Sequence, residues 1–322
     1  MKRIISLLFI LIMVSCYDEY ITDYEYDGVY FAYPVNVRTL VVGEGMQIKF
    51  GVNLGGVREN NRDRVVEYQI DNSLITPAIL SKMKVGEGYI QQGVAGVEEL
   101  KPLPAGYYSL SDNSKMIITK GNHSGAVTLK ADSARFLADP STINATYAFA
   151  VRIVKADADS VIQPKNYTVI GLRYENMLFG NYWHGGVTEV KDATGQLLET
   201  ISYPTYIPSP DILAWKLTTV APNKLVINGV SNVTSTKSEF AITKEGNNII
   251  VSSVDGATYT VLPDGPSSFN QARLLQDRKI FLQYKFQNSD GNWCHAKDTL
   301  TFRNRIRDGV NEWQDENPEN YK

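Results

Sequence analysis

The chain has 322 residues, a formal net charge of −3 and two cysteines. That length fits two domains, and near-neutrality excludes the clustered basic surface that neutralising nucleic-acid phosphates requires. Two cysteines are too few for a disulfide framework.

The chain opens with Met1-Lys2-Arg3 and an apolar run from Ile4 to Val14. That run is shorter than the roughly 20 residues a bilayer needs. A charged start, a short apolar stretch and a small residue before a cleavage point describe an export signal over residues 1–15. Met13-Val14-Ser15-Cys16 resembles a bacterial lipobox, which implies lipidation of Cys16 after cleavage. Acyl chains bury methylenes at ~0.8 kcal/mol each, so two or more anchor a protein without a spanning helix. An ordinary signal peptide that leaves Cys16 a free thiol is the competing reading. Residues 16–28 follow as an acidic tether with Asp18, Glu19, Asp23, Glu25 and Asp27, a solvated segment repelled by anionic lipid.

Two-residue alternation then dominates. "MQIKFGVNL" places Met46, Ile48, Phe50, Val52 and Leu54 on one face, and "TYAFAVRIVKA" does the same with Tyr147, Phe149, Val151 and Ile153. Short strands separated by turn residues predict a β-sandwich over 29–174. Only "SLITPAILSKM" and "SARFLA" suggest helical turns. After Tyr174 the pattern restarts and ends in a hairpin, where Ile280, Leu282, Tyr284 and Phe286 alternate before Asp290-Gly291. Residues 175–322 therefore read as an antiparallel β-domain, either a barrel or a second sandwich, and the whole chain as all-β. The basic run Arg303 to Arg307 reads as a solvated strand end, Trp215 as core, and Trp313 as the residue that pins the terminal strap.

Two stretches resemble a known family. "LPAGYYSL" (Leu103 to Leu110), the glycine-punctuated segment from Ile118 to Leu129 and the strand from Ala150 resemble an N-terminal domain of Bacteroidota lipoproteins. That domain occurs ahead of secreted endo-β-N-acetylglucosaminidases and in non-enzymatic surface proteins, and the resemblance implies an immunoglobulin-like sandwich for residues 29–174. "FGNYWHGG" and "RIRDGVNEWQDENPENY" are similar to its companion C-terminal domain in polysaccharide-utilisation lipoproteins. The resemblance implies an outer-membrane lipoprotein facing the cell exterior, encoded beside a glycan importer. The acidic tether is similar to the tract that follows the lipid cysteine in surface-exported members. The tripeptides at Asp132, Asp159 and Asp298 match the short Asp-Ser/Thr-aliphatic pattern of Bacteroidota O-glycosylation.

Catalysis finds little support in the residues. The part after the first domain is short of the ~250 residues of a (β/α)₈ barrel. His123, His184 and His295 sit in no zinc-ligand spacing, and Cys294 and His295 point to opposite faces of one strand. No cofactor or metal site is predicted. A carboxylate pair assembled from distant strands stays open as a small glycoside hydrolase.

Sugar binding suits the residues better. A pyranose ring has an apolar C–H face, and Tyr and Trp offer large rings with a polar handle. Tyr182 and Trp183, next to Gly185-Gly186, form the densest aromatic cluster. Tyr203 and Tyr206 lie in a proline-rich loop, and Trp293 lies beside a hairpin tip. Each competes with a structural reading as core or surface loop. The expected partners are a polysaccharide or oligosaccharide and the outer-membrane importer. An adhesive protein that binds other proteins is the rival function.

Overall fold

The computed structural model describes residues 26–203, 214–234 and 237–315. The leader, Cys16 and Tyr206 lie outside the described residues.

The N-terminal domain packs two sheets face to face. One orders β10 (Ser160–Val161), β1 (Gly28–Tyr30), β3 (Gln47–Gly55), β8 (Ser124–Ala131) and β6 (Tyr108–Leu110). The other orders β2 (Val35–Val42), β11 (Tyr167–Asn176), β9 (Tyr147–Ala156), β4 (Arg64–Ile70) and β7 (Lys115–Ile118), with β5 (Lys101–Pro102) on β9. The parallel pairing of β2 with β11, whose other neighbour β9 runs antiparallel, is the immunoglobulin-like arrangement. Ile48, Phe50, Val52 and Leu54 of β3 face Phe149, Val151 and Ile153 of β9 across the core. Aromatic edges meet there, with Phe50 and Phe149 rings 5.1 Å apart.

β9 and β11 are buried on both faces, unlike the alternating β3. Their outer face is covered by α1 (Pro77–Lys84) and α2 (Gly88–Gly93). Pro77 starts α1, because a first-turn residue needs no N–H partner. Thr76 caps the helix by accepting from the Ile79 N–H at 3.4 Å. Small residues allow the helices close approach: a Cβ on Gly93 would meet Val37 Cγ1 at 2.6 Å. "SARFLA" forms α3 (Ser133–Ala138), capped by Asp132.

The C-terminal domain is a closed eight-stranded barrel. Its wall runs β12 (Gly180–Lys191), β14 (Ala214–Ala221), β15 (Lys224–Ile227), β18 (Phe240–Glu245), β19 (Asn248–Ser253), β21 (Ser267–Phe269), β22 (Lys279–Gln287) and β23 (Trp293–Arg307). Closure comes from the long β12–β23 ladder, which leaves this wall no free edge. β13 (Leu197–Tyr203) adds to the far half of β12. Side chains fill the interior, as expected at this strand number. Trp215 is among them, and Cys294 is a small buried residue there.

Ion pairs join the two domains. Glu44, in the turn between β2 and β3, meets Arg278 and Arg305 of the barrel. The basic run is therefore not solvated throughout. The β12–β23 register slips between Asn181 and Tyr182, so the extra residue on β23 turns Arg305 inward where Arg303 points out. Two further expectations also change. Asp27 does not dangle in the tether, because it pairs with the buried Arg64 at 2.7 Å. Trp313 is 58% exposed, and it is Asp315 that ties the strap down, by accepting from the Leu275 N–H at 2.6 Å.

Candidate functional site

The outer face of β12, β23 and β22 carries an aromatic and polar stripe. Cross-strand register places Trp183 opposite Thr301, which lies opposite Lys279. One step along, Thr299 stands opposite Phe281, which is 40% exposed. At the far end Trp293 lies between Lys191 and Gln287. Eight residues of β23 separate the two tryptophan rows, or about 27 Å at ~3.4 Å per residue. That span suits an extended chain better than a single small molecule.

Cations hold the rings in place. The Arg303 guanidinium sits 4.4 Å from the centroid of Trp183, and Lys285 Nζ lies 5.3 Å from that of Trp293. Such contacts contribute about 0.5–1 kcal/mol at exposed sites. Lys285 also reaches Asp264 Oδ1 at 3.6 Å, while Asp264 Oδ2 lies 2.6 Å from His295 Nδ1. Beside Trp293, the Glu189 carboxyl is held below its ordinary range by the hydrogen bond and charge of Lys191. The stripe thus combines stacking surfaces with fixed donors and acceptors.

Of the four described residues expected to bind glycan, the structure brings Trp183 and Trp293 onto this face, while Tyr206 lies outside the described residues. Tyr182 is a correction. It neighbours Trp183 in β12, so strand alternation turns it into the barrel, where its hydroxyl donates to Leu178 O at 3.1 Å. Tyr203 is another, buried inside with its hydroxyl on Asp298. Tyr203 and Trp183 therefore lie on opposite sides of the wall and share no groove. Phe281 was missed, yet its signal was present: Ile280, Leu282, Tyr284 and Phe286 take the inner face of "KIFLQYKFQ" and leave Phe281 outside.

Inside the barrel lies a second constellation that sequence reasoning missed. Asp298 Oδ1 accepts from the Tyr203 hydroxyl and Oδ2 from the Tyr284 hydroxyl, both at 2.5 Å. Thr188 Oγ1 bridges Tyr203 and Ser231 at 2.8 and 2.6 Å, and the Ser231 N–H donates to Tyr284 at 2.7 Å. Burial first, and then the Asp298 charge, push both phenols well above their ordinary pKa, so they remain donors. His184 Nε2 lies 3.3 Å from Asp298 Oδ2 without a hydrogen bond, and its ring stacks on Trp215 at 3.6 Å. Histidine, carboxylate and hydroxyls make an acid–base set, but His184 and Asp298 have fully buried side chains: the set is a core network in which hydroxyls satisfy Asp298 and neither His184 nitrogen has a partner. The missing side chain at Gly186 makes room for this carboxylate: a Cβ there would meet Asp298 Oδ1 at 2.3 Å. Among the described residues, no group of three metal-ligating side chains occurs.

A family model described as an N-terminal domain matches residues 23–160. The match covers most of the sandwich and stops before β11. No curated protein matches the chain. A solved Bacteroides ovatus structure of unknown function is 18% identical, with a TM-score of 0.61, over 91% of this chain and 99% of that one. It shows the same fold. Two others from Bacteroides ovatus, also of unknown function, are 12% and 10% identical, with TM-scores of 0.42 and 0.39. They cover 90% and 91% of this chain, and 100% and 96% of their own.

Proposed function

We propose that the protein is a non-catalytic, lipid-anchored surface protein that binds polysaccharide for a neighbouring outer-membrane importer. Binding takes place on the outer face of the barrel. The carrying observation is that Trp183, Phe281 and Trp293 share one face, with Thr299, Gln283 and the His295–Asp264 pair between them. Pyranose C–H faces stack on such rings while hydroxyls meet the side chains between them. Each contact is weak, and a long chain engages several at once, so affinity accumulates by multivalency and needs no cofactor. The leader, the lipobox-like Met13-Val14-Ser15-Cys16 and the acidic tether support anchoring by Cys16 outside the membrane.

Affinity electrophoresis of the mature protein through gels containing plant, fungal and host polysaccharides tests this reading. At least one polymer is expected to retard it, with retardation lost in Trp183→Ala and Phe281→Ala. Unretarded migration in every gel, or retardation that survives both substitutions, overturns it. Release of reducing ends from a retarding polymer would replace it with a hydrolase.

A further inference from the structure

The covering of the sandwich's second sheet leaves a gap. On its outer face α1 and α2 cover Val37, Ala148, Ala150 and Val169, and the barrel meets the same face farther along. Between helix and barrel lies a cavity of about 180 Å³. Arg173 and Glu175, two residues apart on β11, form its floor, while Phe179, Lys216 and Thr218 line the barrel side and Tyr89 the helix side.

Hydrogen-bond accounting identifies what the cavity lacks. Tyr89 already bonds Asn36 Oδ1 at 2.9 Å, and Thr39 already donates to Asp308 Oδ1 at 2.8 Å. Arg173 Nη2 donates to Glu175 Oε1. Yet Glu175 is only 4% exposed, and its Oε2 has no partner, nor has Arg173 Nε. A buried unpaired carboxylate oxygen costs more than about 1–3 kcal/mol, and such groups in folded proteins are normally satisfied. One orphan is a donor and the other, while ionised, an acceptor. Both atoms are covered, so neighbouring hydroxyls on one ligand would meet them after the two side chains rotate toward the cavity.

Charge narrows the ligand further. Arg173 and Lys216 oppose a cation, and Glu175 and Asp308 oppose an anion. A neutral polyhydroxylated ring suits both constraints, and Phe179 gives it an apolar wall. The volume equals that of about six waters at ~30 Å³ each, enough for one ring.

We propose that this cleft between sandwich and barrel binds a single neutral sugar ring, held by hydroxyl hydrogen bonds to Glu175 Oε2 and Arg173 Nε. It deepens the glycan-binding reading and rests on it: the barrel stripe holds the chain and the cleft holds one residue of it.

Titration calorimetry of the mature protein with D-glucose, D-mannose, D-galactose and N-acetyl-D-glucosamine tests the cleft. At least one sugar is expected to bind saturably at one site per chain. Glu175→Gln should weaken it by about tenfold, as loss of one good hydrogen bond does. Thr218→Trp, at an exposed position whose fold circular dichroism verifies, should abolish binding by filling the cleft. No saturable binding by any of the four, or equal affinity in Thr218→Trp, overturns the proposal. If a polysaccharide is still retarded by wild type and not by Trp183→Ala, only the cleft falls. If no polysaccharide is retarded either, both readings fall.

Discussion

Glu44 of the sandwich accepts a two-pronged hydrogen bond from Arg305 of the barrel, Nη1 to Oε1 at 3.0 Å and Nη2 to Oε2 at 2.9 Å. Arg278, fully buried, adds a third bond to Oε1 at 2.8 Å, and Arg305 Nε turns to Glu312 at 2.6 Å. Breaking a buried pair by removing one partner strands the other charge and costs about 3–5 kcal/mol. Glu44→Ala should therefore destabilise the chain by that order and separate the sandwich and barrel transitions in urea. A single transition at the wild-type midpoint would falsify the clamp.

The same carboxyl sets an acid limit. Burial raises its pKa, but the hydrogen bonds and charges of Arg305 and Arg278 outweigh this and bring it from 4.5 down to about 2. A lowered carboxylate stabilises fully above its unfolded value and loses that contribution as pH falls. Stability should thus decline between pH ~4.5 and ~2 by an order of about 3 kcal/mol, and Glu44→Gln should flatten that limb. Urea midpoints measured at pH 5, 4 and 3 check it.

Glu175 runs the other way. Burial, opposed by Arg173, raises its carboxyl from 4.5 to about 7. Its folded form binds the proton more tightly, so its contribution is complete below pH ~4.5 and is lost as pH rises through 7. The stability of wild type relative to Glu175→Gln should fall from pH 5 to pH 8, by an order of about 3 kcal/mol at most. A constant difference across that range contradicts the assignment.

Within the barrel, Asp298 accepts two phenolic hydrogen bonds at full burial. Tyr284→Phe removes one donor and leaves the carboxylate under-satisfied, at a cost of about 1–3 kcal/mol. Gly186→Ala drives a methyl into Asp298 Oδ1 and should cost at least as much. Thermal melts of the two variants rank them, and a wild-type Tm for either removes the cluster's structural role.

Anchoring is tested at Cys16. Its change to Ser should move the protein from the membrane fraction to the soluble one and delete the lipid mass from the mature N-terminus. Membrane retention of this variant would show that something other than the cysteine holds it.

Alternation in "KIFLQYKFQ" and "MQIKFGVNL" was enough to place strands, and Asp290-Gly291 enough to place the last hairpin, because period and turn chemistry are local properties. What alternation leaves open is which face becomes the inside. Tyr182 and Trp183 differ by one position, and only closure of β12 on β23 decided that Trp183 points to solvent. The terminal arginines posed the same problem, since a one-residue bulge turned Arg305 from solvent to a buried clamp. Asp298 with Tyr203, and Glu44 with Arg305, join residues far apart in the chain. No spacing rule reaches such pairs: the free energy that selects them comes from excluding water around charges that meet only after both domains close.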